Sequence, residues 1–313
     1  MATRWSIARS RIPGNRAARG LRGRGPNRCG YDRRVDVEDY RRTSQQVWET
    51  MAPGWERWRA QLADALTPVR ERLIRELAPQ PGETVLELGA GTGETGFEAA
   101  AMLGAGGRLV STDFSRDMVE VARRRGGELG LGNVDYRVID AERIELNTGS
   151  VDGVLCQSTY MLVADPAAAL AETRRVLRPG GRLALSVWGA PERNPWASIG
   201  AMILIERGHM PPPEPEAPGV FSMASADRTR TLLERAGFSS VRTAEVPVRF
   251  GFRDLDDYEQ WVIDVAGPIA MVVRGLPEDE RELLRARLRE AFVPIAADGG
   301  HELPGVALCA VAS

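Results

Sequence analysis

The residues best placed to do chemistry are three glycines, Gly89, Gly91 and Gly93, that stand between an apolar run at 84–88 and a helical pattern at 97–103. The apolar run predicts a strand that is buried on both faces of a parallel sheet. Glycine has no Cβ, so the backbone of the turn can approach a ligand closely. The first N–H groups of the following helix lack intrahelical partners and attract negatively charged groups. The stretch therefore predicts a ligand site built on bare backbone.

Two cofactor patterns fit this stretch. Gly91, Gly93 and Gly96 satisfy G-x-G-x-x-G, which is the dinucleotide fingerprint. Glu87 and the alternating glycines give E-x-G-x-G-x-G instead. Asp113, at the end of the next predicted strand, suits both patterns, because its carboxylate can accept hydrogen bonds from the ribose hydroxyls of either ligand. A glycine-rich turn without any ligand is the third interpretation, so the choice depends on the rest of the chain.

Charge divides the chain into two parts. Residues 1–34 contain ten arginines and one acidic residue, and the remainder is strongly acidic although the net charge of the whole chain is only −2. The arginine-rich composition predicts a disordered tail. A nucleic-acid-binding arm, a tether to an anionic membrane and a transit peptide all fit this tail, as does a gene start set upstream of the true one. An acidic body argues against nucleic acid as the main partner.

The body, residues 35–313, alternates strand-like runs with helical patterns, which predicts an α/β domain. A helix is expected from Val37 to Met51, and Trp55 and Trp58 follow it. This helical segment, 35–78, either covers the ligand as a lid or packs on the domain. The chain has no apolar run of 18 residues, so no membrane span is expected. Its three cysteines have no metal-binding or disulfide spacing, which fits a reducing cytoplasm.

Three further segments make one of the cofactor patterns specific. Asp-Phe-Ser-x-x-Met stands at 113–118, Asp-Ala at 140–141, and Leu-Arg-Pro-Gly-Gly-Arg-Leu at 177–183. With the glycine turn they occur in the order typical of class I S-adenosylmethionine (SAM) methyltransferases, and the chain resembles the UbiE-like or methyltransferase type 11 group of that family. The resemblance extends from Val85 to Trp188.

This resemblance implies a Rossmann-like, doubly wound sheet of seven strands in the order 3-2-1-4-5-7-6, with the last strand antiparallel. It implies helical insertions at 189–224 and 253–297 that cap the active site and form the acceptor pocket. SAM would be the cofactor, with its methionine end on the glycine turn, its ribose on Asp113, its adenine amine on Asp140 and its sulfonium near Gln157. The implied cofactor-binding residues are Glu87, Gly89, Ala90, Gly91, Gly93, Asp113, Phe114, Met118, Asp140, Ala141 and Gln157.

The expected reaction is the transfer of a methyl group to an oxygen or carbon of a small acceptor, either apolar and aromatic or quinone-like. Tyr160 and His209 are weak candidates for a general base. No metal-binding constellation is visible, and a homodimer is left open. One alternative is a nicotinamide-dependent oxidoreductase, although the absence of lysine excludes a Tyr-x-x-x-Lys arrangement. The other is a non-catalytic SAM-binding or RNA-associated protein.

Overall fold

The protein is described by a computed structural model that covers residues 37–214, 217–292 and 301–313. The arginine-rich tail at 1–34 lies outside the described residues, as does the end of the second predicted insertion. Seven strands form one sheet in the order β3-β2-β1-β4-β5-β7-β6, which confirms the predicted order. Their bounds are β1 Thr84–Leu88, β2 Arg108–Asp113, β3 Val134–Val138, β4 Val151–Gln157, β5 Leu177–Trp188, β6 Arg242–Phe252 and β7 His301–Ala312.

Parallel pairing brings the polar candidates to one edge of the sheet. Strands β1 to β5 pair in parallel, and β7 lies antiparallel between β5 and β6. In the register of the central strands, Leu88 pairs with Thr112, directly before Asp113, and Glu87 pairs with Leu155, two residues before Gln157. The turn after β1 and the ends of β2 and β4 therefore meet at the carboxyl edge, where open α/β sheets bind ligands.

Eleven α-helices lie within the described residues. Their bounds are α1 Val37–Arg57, α2 Arg59–Ala65, α3 Thr67–Leu77, α4 Glu94–Leu103, α5 Arg116–Glu128, α6 Pro166–Val176, α7 Pro195–Glu206, α8 Ala226–Arg235, α9 Leu255–Val265, α10 Pro268–Gly275 and α11 Glu278–Phe292.

Helix α1 is longer than the sequence indicated. The expected end at Met51 is wrong, because the helix continues through Pro53 to Arg57. Gly54 explains the continuation, since a Cβ built on it would lie 2.1 Å from the carbonyl oxygen of Asp264. The close approach of α1 to α9 holds the extra turn in place, and this tertiary contact overrides the tendency of proline to interrupt a helix.

Helix α3 packs on the sheet through its apolar face, and Arg70 near its first turn lines the cavity described below. Leu73, Ile74 and Leu77 are buried, and a Cβ on Gly153 of β4 would contact Leu77 at 3.1 Å. The predicted helical segment 35–78 therefore contains a sheet-packing helix as well as α1. Cys156 of β4 is also a core residue, and burial raises the pKa of its thiol to about 12. No helix in the described part of the chain is long and apolar enough to cross a membrane.

Candidate active site

A cavity of about 250 Å³ lies at the carboxyl edge of β1, β2 and β4. Ten of the eleven cofactor-binding residues expected from the sequence line it, and Gly93 does not. These ten are Glu87, Gly89, Ala90, Gly91, Asp113, Phe114, Met118, Asp140, Ala141 and Gln157. The structure thus gathers residues that are separated by up to seventy positions around one cavity.

Asp113 closes β2 with a buried carboxyl group. Its Oδ2 accepts a hydrogen bond from the N–H of Gly91 at 3.0 Å, and its Oδ1 accepts one from the N–H of Ser115 at 2.9 Å. Burial raises the pKa of Asp113 above its ordinary value, although these backbone hydrogen bonds oppose the shift. Each carboxylate oxygen has a second lone pair. The group is fixed beside the glycine turn and can still accept hydrogen bonds from a diol.

Glu87 lies beneath the turn, in the interior. Its Oε1 accepts a hydrogen bond from the N–H of Gly96 at 2.7 Å, and its Oε2 accepts one from the hydroxyl of Ser111 at 2.9 Å. Burial raises the pKa of Glu87 to about 8, and the nearby carboxyls of Glu94 and Asp113 act in the same direction. Glu87 therefore joins β1, β2 and the first turn of α4, which fixes where the glycine turn lies.

The glycines of the turn serve different purposes. Gly89 and Gly91 both have left-handed backbones, with φ of 65° and 55°. A Cβ on Gly89 would lie 2.0 Å from Oγ1 of Thr159, so packing within the protein requires this glycine. A Cβ on Gly91 would find no atom nearer than Cε3 of Trp55 at 3.9 Å. The open side of Gly91 therefore faces the cavity. A Cβ on Gly93, by contrast, would lie 2.3 Å from the ring of Phe97.

The far end of the cavity is closed by acidic groups and an arginine. Asp140 accepts a hydrogen bond at Oδ1 from the N–H of Glu142 at 2.9 Å. The buried carboxylate of Glu142 accepts a hydrogen bond from Arg41 and another from the N–H of Ala164 at 2.8 Å. Arg41 Nε lies 3.7 Å from Asp140 Oδ2. The sequence analysis did not identify Arg41 or Glu142, because their partnership joins segments 101 residues apart.

Helix α1 spans the cavity from this end to α9. The amide of Gln45 donates a hydrogen bond to the carbonyl of Phe114 at 3.0 Å. Ten residues, or about three turns, further along the helix, the indole of Trp55 donates to the carbonyl of Val265 at 3.1 Å. Trp58, just past the helix, donates to Asp264 at 2.8 Å. Tyr40, Arg41, Ser44, Trp48 and Trp55 line the cavity, so α1 forms part of its wall.

Gln157 ends β4 at the centre of the cavity edge. Its Oε1 accepts a hydrogen bond from the hydroxyl of Thr95 at 2.9 Å. The next residue, Ser158, has a left-handed backbone with φ of 58°, an uncommon conformation for a residue with a side chain. Its N–H donates to the carbonyl of Ser186 at 2.9 Å, which anchors the loop to β5.

Neither weak candidate for a general base lines this cavity. The hydroxyl of Tyr160 lies in the core, 2.6 Å from Oγ1 of Thr173, and burial raises its pKa well above the ordinary value. His209 lies outside the cavity beside Glu280, with Nε2 and Oε2 3.0 Å apart, and Arg207 also pairs with that carboxylate. Their positions in the sequence placed them near the site, but their side chains point elsewhere.

A cluster of aromatic side chains, here called the aromatic wall, forms another part of the cavity lining. It consists of Trp188, Trp196, Phe250, Tyr258 and Trp261, all of which line the cavity. Ring centroids lie 4.6 Å apart for Trp188 and Trp196, and 5.7 Å apart for Trp196 and Trp261. These edge-to-face contacts are the arrangement that aromatic rings prefer. Three of the five residues come from the two insertions, so the insertions do reach the cavity.

Within the described ranges, no group of three or more His, Cys, Asp or Glu side chains is arranged to hold a metal ion. The groups that converge on the cavity are instead backbone N–H groups, carboxylates, amides and aromatic rings. They suit an organic ligand with a sugar diol at one end and an apolar ligand at the other.

Comparison with known proteins agrees with this geometry. Residues 79–200 match the family described as "Methyltransferase domain". The chain is 36% identical over 119 residues to the nocamycin O-methyltransferase of Saccharothrix syringae, a match that covers 38% of this chain and 42% of that one. It is 32% identical over 134 residues to the demethylmenaquinone methyltransferase of Clavibacter sepedonicus, covering 43% of this chain and 48% of that one. In both cases the match spans less than half the length of the relative.

A solved structure shows the same fold. The YcgJ protein of Bacillus subtilis superposes with a TM-score of 0.52 at 19% identity, over 78% of this chain and 96% of that one. The fold and the site together define a class I SAM-dependent methyltransferase domain. Residues 79–200 of this chain match that methyltransferase-domain family, and the residues that line the cavity fit S-adenosylmethionine as the cofactor. The resemblance to class I SAM-dependent methyltransferases found in the sequence is thereby confirmed.

Proposed function

We propose that the chain transfers the methyl group of SAM to an oxygen or carbon of an apolar, aromatic or quinone-like small molecule held against the aromatic wall. The observation that carries this proposal is the single cavity lined on one side by the glycine turn and Asp113, and on the other by the rings of Trp196 and Trp261. A donor and an acceptor can therefore meet within one enclosure. Two relatives, a demethylmenaquinone methyltransferase and a nocamycin O-methyltransferase, support this acceptor class by their names.

The residues of the cavity fit the cofactor. The open side of Gly91 leaves room for a ligand against the backbone, and the second lone pairs of Asp113 can accept the ribose hydroxyls. The carboxylate of Asp140 can accept the adenine amine, with Phe114 and Met118 beside the ring. Gln157 would lie near the sulfonium. When bound, SAM supplies an electrophilic methyl group on a good, neutral leaving group.

The protein's own contribution is alignment and exclusion of water. In-line displacement needs the acceptor atom, the methyl carbon and the sulfur to be collinear. The fixed walls of the cavity hold the two ligands in that alignment. Helix α1 covers the cavity at one end through Arg41 and at the other through Trp55. Neither candidate base lines the cavity, which favours an acceptor that is already nucleophilic, such as a phenolate or an acidic carbon, for which a dedicated base is not required.

Calorimetric titration tests the cofactor assignment. The chain is titrated with S-adenosylhomocysteine and, separately, with NADH. We expect micromolar binding of the first and no heat from the second. Asp113→Asn should lose most of this affinity, because an amide cannot accept hydrogen bonds from both hydroxyls. Asp152→Asn is the matched control, since Asp152 is also buried and also accepts a backbone N–H, from Thr84 at 2.8 Å, but lies outside the cavity.

Transfer of labelled methyl groups tests the acceptor class. The chain is incubated with methyl-tritiated SAM and either 1,4-dihydroxynaphthalene or a polar amine such as ethanolamine. We expect label in the naphthalene product alone. Binding of NADH without S-adenosylhomocysteine would favour the oxidoreductase alternative, and cofactor binding with labelled ethanolamine would overturn the acceptor class.

A further inference from the structure

Three residues that line the cavity have a buried polar atom without a hydrogen-bond partner within residues 37–214, 217–292 and 301–313. One is Arg41, whose Nε lies 3.7 Å from Asp140 Oδ2. The other two atoms are Oε1 of Glu259 and Nε1 of Trp261, both on helix α9. Glu259 is 6% exposed and Trp261 is 3% exposed. Leaving such a group buried without a partner costs about 1–3 kcal/mol, so an unpaired atom on a ligand cavity points to a partner that the ligand supplies.

The polar side-chain atoms of Tyr258, Trp196 and Trp55 are already used. The hydroxyl of Tyr258 donates to the carbonyl of Trp196 at 2.8 Å. The indole of Trp196 donates to Oδ1 of Asn194 at 3.0 Å, and the indole of Trp55 donates to the carbonyl of Val265. The protein itself therefore satisfies the polar atoms of these three side chains. Glu259 stands out because a carboxylate is the strongest acceptor on that wall.

The ion pair with Arg285 determines which kind of hydrogen-bond donor on a ligand can approach Oε1 of Glu259. The guanidinium of Arg285, on α11, donates through Nε to Oε2 of Glu259 and forms an ion pair with it. The negative charge is thereby balanced, and Oε1 is left as a hydrogen-bond acceptor. A cationic amine brought to Oε1 would also approach the arginine, which opposes it. A neutral hydroxyl meets no such repulsion.

The helical periodicity of α9 indicates where Glu259 lies relative to the cavity. Tyr258, Val262 and Val265 recur at helical spacing and form the centre of the cavity face. Glu259 lies at the edge of that face next to α11, whose Leu284 and Leu288 also line the cavity. A planar molecule lying on the aromatic wall would thus direct one edge towards Glu259.

We propose that Oε1 of Glu259 selects acceptors that carry a neutral hydroxyl on an aromatic ring system, with the rings on the aromatic wall and the hydroxyl donating to this carboxylate at the junction of α9 and α11. This inference rests on the proposed function, because it assumes that the aromatic wall holds the methyl acceptor. It makes Glu259 a specificity-determining residue that distinguishes a hydroxylated aromatic from the same ring system without a free hydroxyl.

The test measures binding without chemistry. The chain is saturated with S-adenosylhomocysteine and titrated with 2-naphthol or with 2-methoxynaphthalene, which share the ring system and the oxygen but carry a hydroxyl hydrogen or a methyl group on it. We expect the wild type to bind 2-naphthol at least about tenfold more tightly, as a lost buried hydrogen bond requires. Glu259→Leu should remove that preference and leave affinity for the methyl ether within about threefold of wild type. Glu259→Gln keeps the size and one acceptor oxygen, and should retain part of the preference.

Glu278→Gln is the matched control. Glu278 Oε1 lies 3.8 Å from the same arginine, Arg285, but Glu278 does not line the cavity. The control should keep the full preference. Equal binding of the two probes by the wild type would overturn the proposal, as would an unchanged preference in both Glu259 variants. A chain that binds no S-adenosylhomocysteine at all contradicts the proposed function instead, so the two failures are distinguishable.

Discussion

The carboxyl group of Glu87 occupies the space that a side chain on Gly96 would need. A Cβ built on Gly96 would lie 2.0 Å from Oε2 of Glu87, whose Oε1 accepts the N–H of the same glycine at 2.7 Å. Gly96 is the residue that completes the dinucleotide fingerprint in the sequence. In the structure it is required by Glu87 and not by a ligand, so the match to that fingerprint arises from packing inside a methyltransferase domain.

Replacing Gly96 by alanine should destabilise the fold. The added methyl group must displace Glu87, and overpacking of this kind costs about 1–3 kcal/mol in the free energy of unfolding. Chemical denaturation measures this loss. Gly106→Ala is the control, because a Cβ at Gly106 would have no neighbour within 4 Å. Equal stability of the two variants would contradict the role assigned to Glu87.

Glu87 should make stability depend on pH. Its pKa is raised to about 8 in the folded protein, from an ordinary value of 4.5. The folded state therefore holds this proton more tightly, and the resulting stabilisation is complete below about pH 4.5. It declines as pH rises through 8. Thermal unfolding of wild type and Glu87→Gln should show a smaller fall in stability between pH 5 and pH 8 for the variant; parallel curves would refute the prediction.

Replacing Gly91 by alanine should weaken cofactor binding beyond its cost in stability. Its φ of 55° strains any side chain, and its Cβ would project into the cavity beside Trp55. Gly82→Ala imposes the same strain, with φ of 86°, at a place with no neighbouring atoms. Both variants should lose about 1 kcal/mol of stability. Only Gly91→Ala should bind S-adenosylhomocysteine at least about tenfold more weakly, and similar affinities for the two variants would argue against a cofactor on the turn.

Arg41 should hold helix α1 over the cavity. Arg41→Ala would leave the buried carboxylate of Glu142 without its cation, which costs about 3 kcal/mol when one partner of a buried pair is removed. We expect lower stability and several-fold weaker binding of S-adenosylhomocysteine, measured by denaturation and calorimetry. Arg42→Ala removes an exposed pair with Asp39 on the same helix and should change neither quantity measurably.

Tyr160 should matter for stability and not for chemistry. Its hydroxyl shares a hydrogen bond with Thr173 in the core, so Tyr160→Phe should lower the free energy of unfolding by about 1 kcal/mol. Initial rates of methyl transfer, corrected for the folded fraction, should stay within about twofold of wild type. A large fall in the rate without a fall in stability would restore Tyr160 as a candidate base.

Local sequence determined the framework of this protein. The apolar run before Gly89 predicted β1, and the glycine spacing with Asp113 located the cofactor side of the cavity, because strand, turn and helix are encoded by residues that are neighbours in the chain. The resemblance of four segments supplied the strand order. Ten of eleven expected residues line one cavity for this reason.

Tertiary structure alone decided the rest of the site. Arg41 reaches Glu142 across 101 positions, and Glu259 faces Arg285 across 26. The tertiary structure also directed Tyr160 into the core and His209 to Glu280, although both residues lie close in sequence to segments that line the cavity. Periodicity predicts which face of a helix is apolar, but the partner of that face depends on how helices dock. The glycine-turn part of the cavity could therefore be predicted from the sequence, whereas the aromatic wall was created by packing.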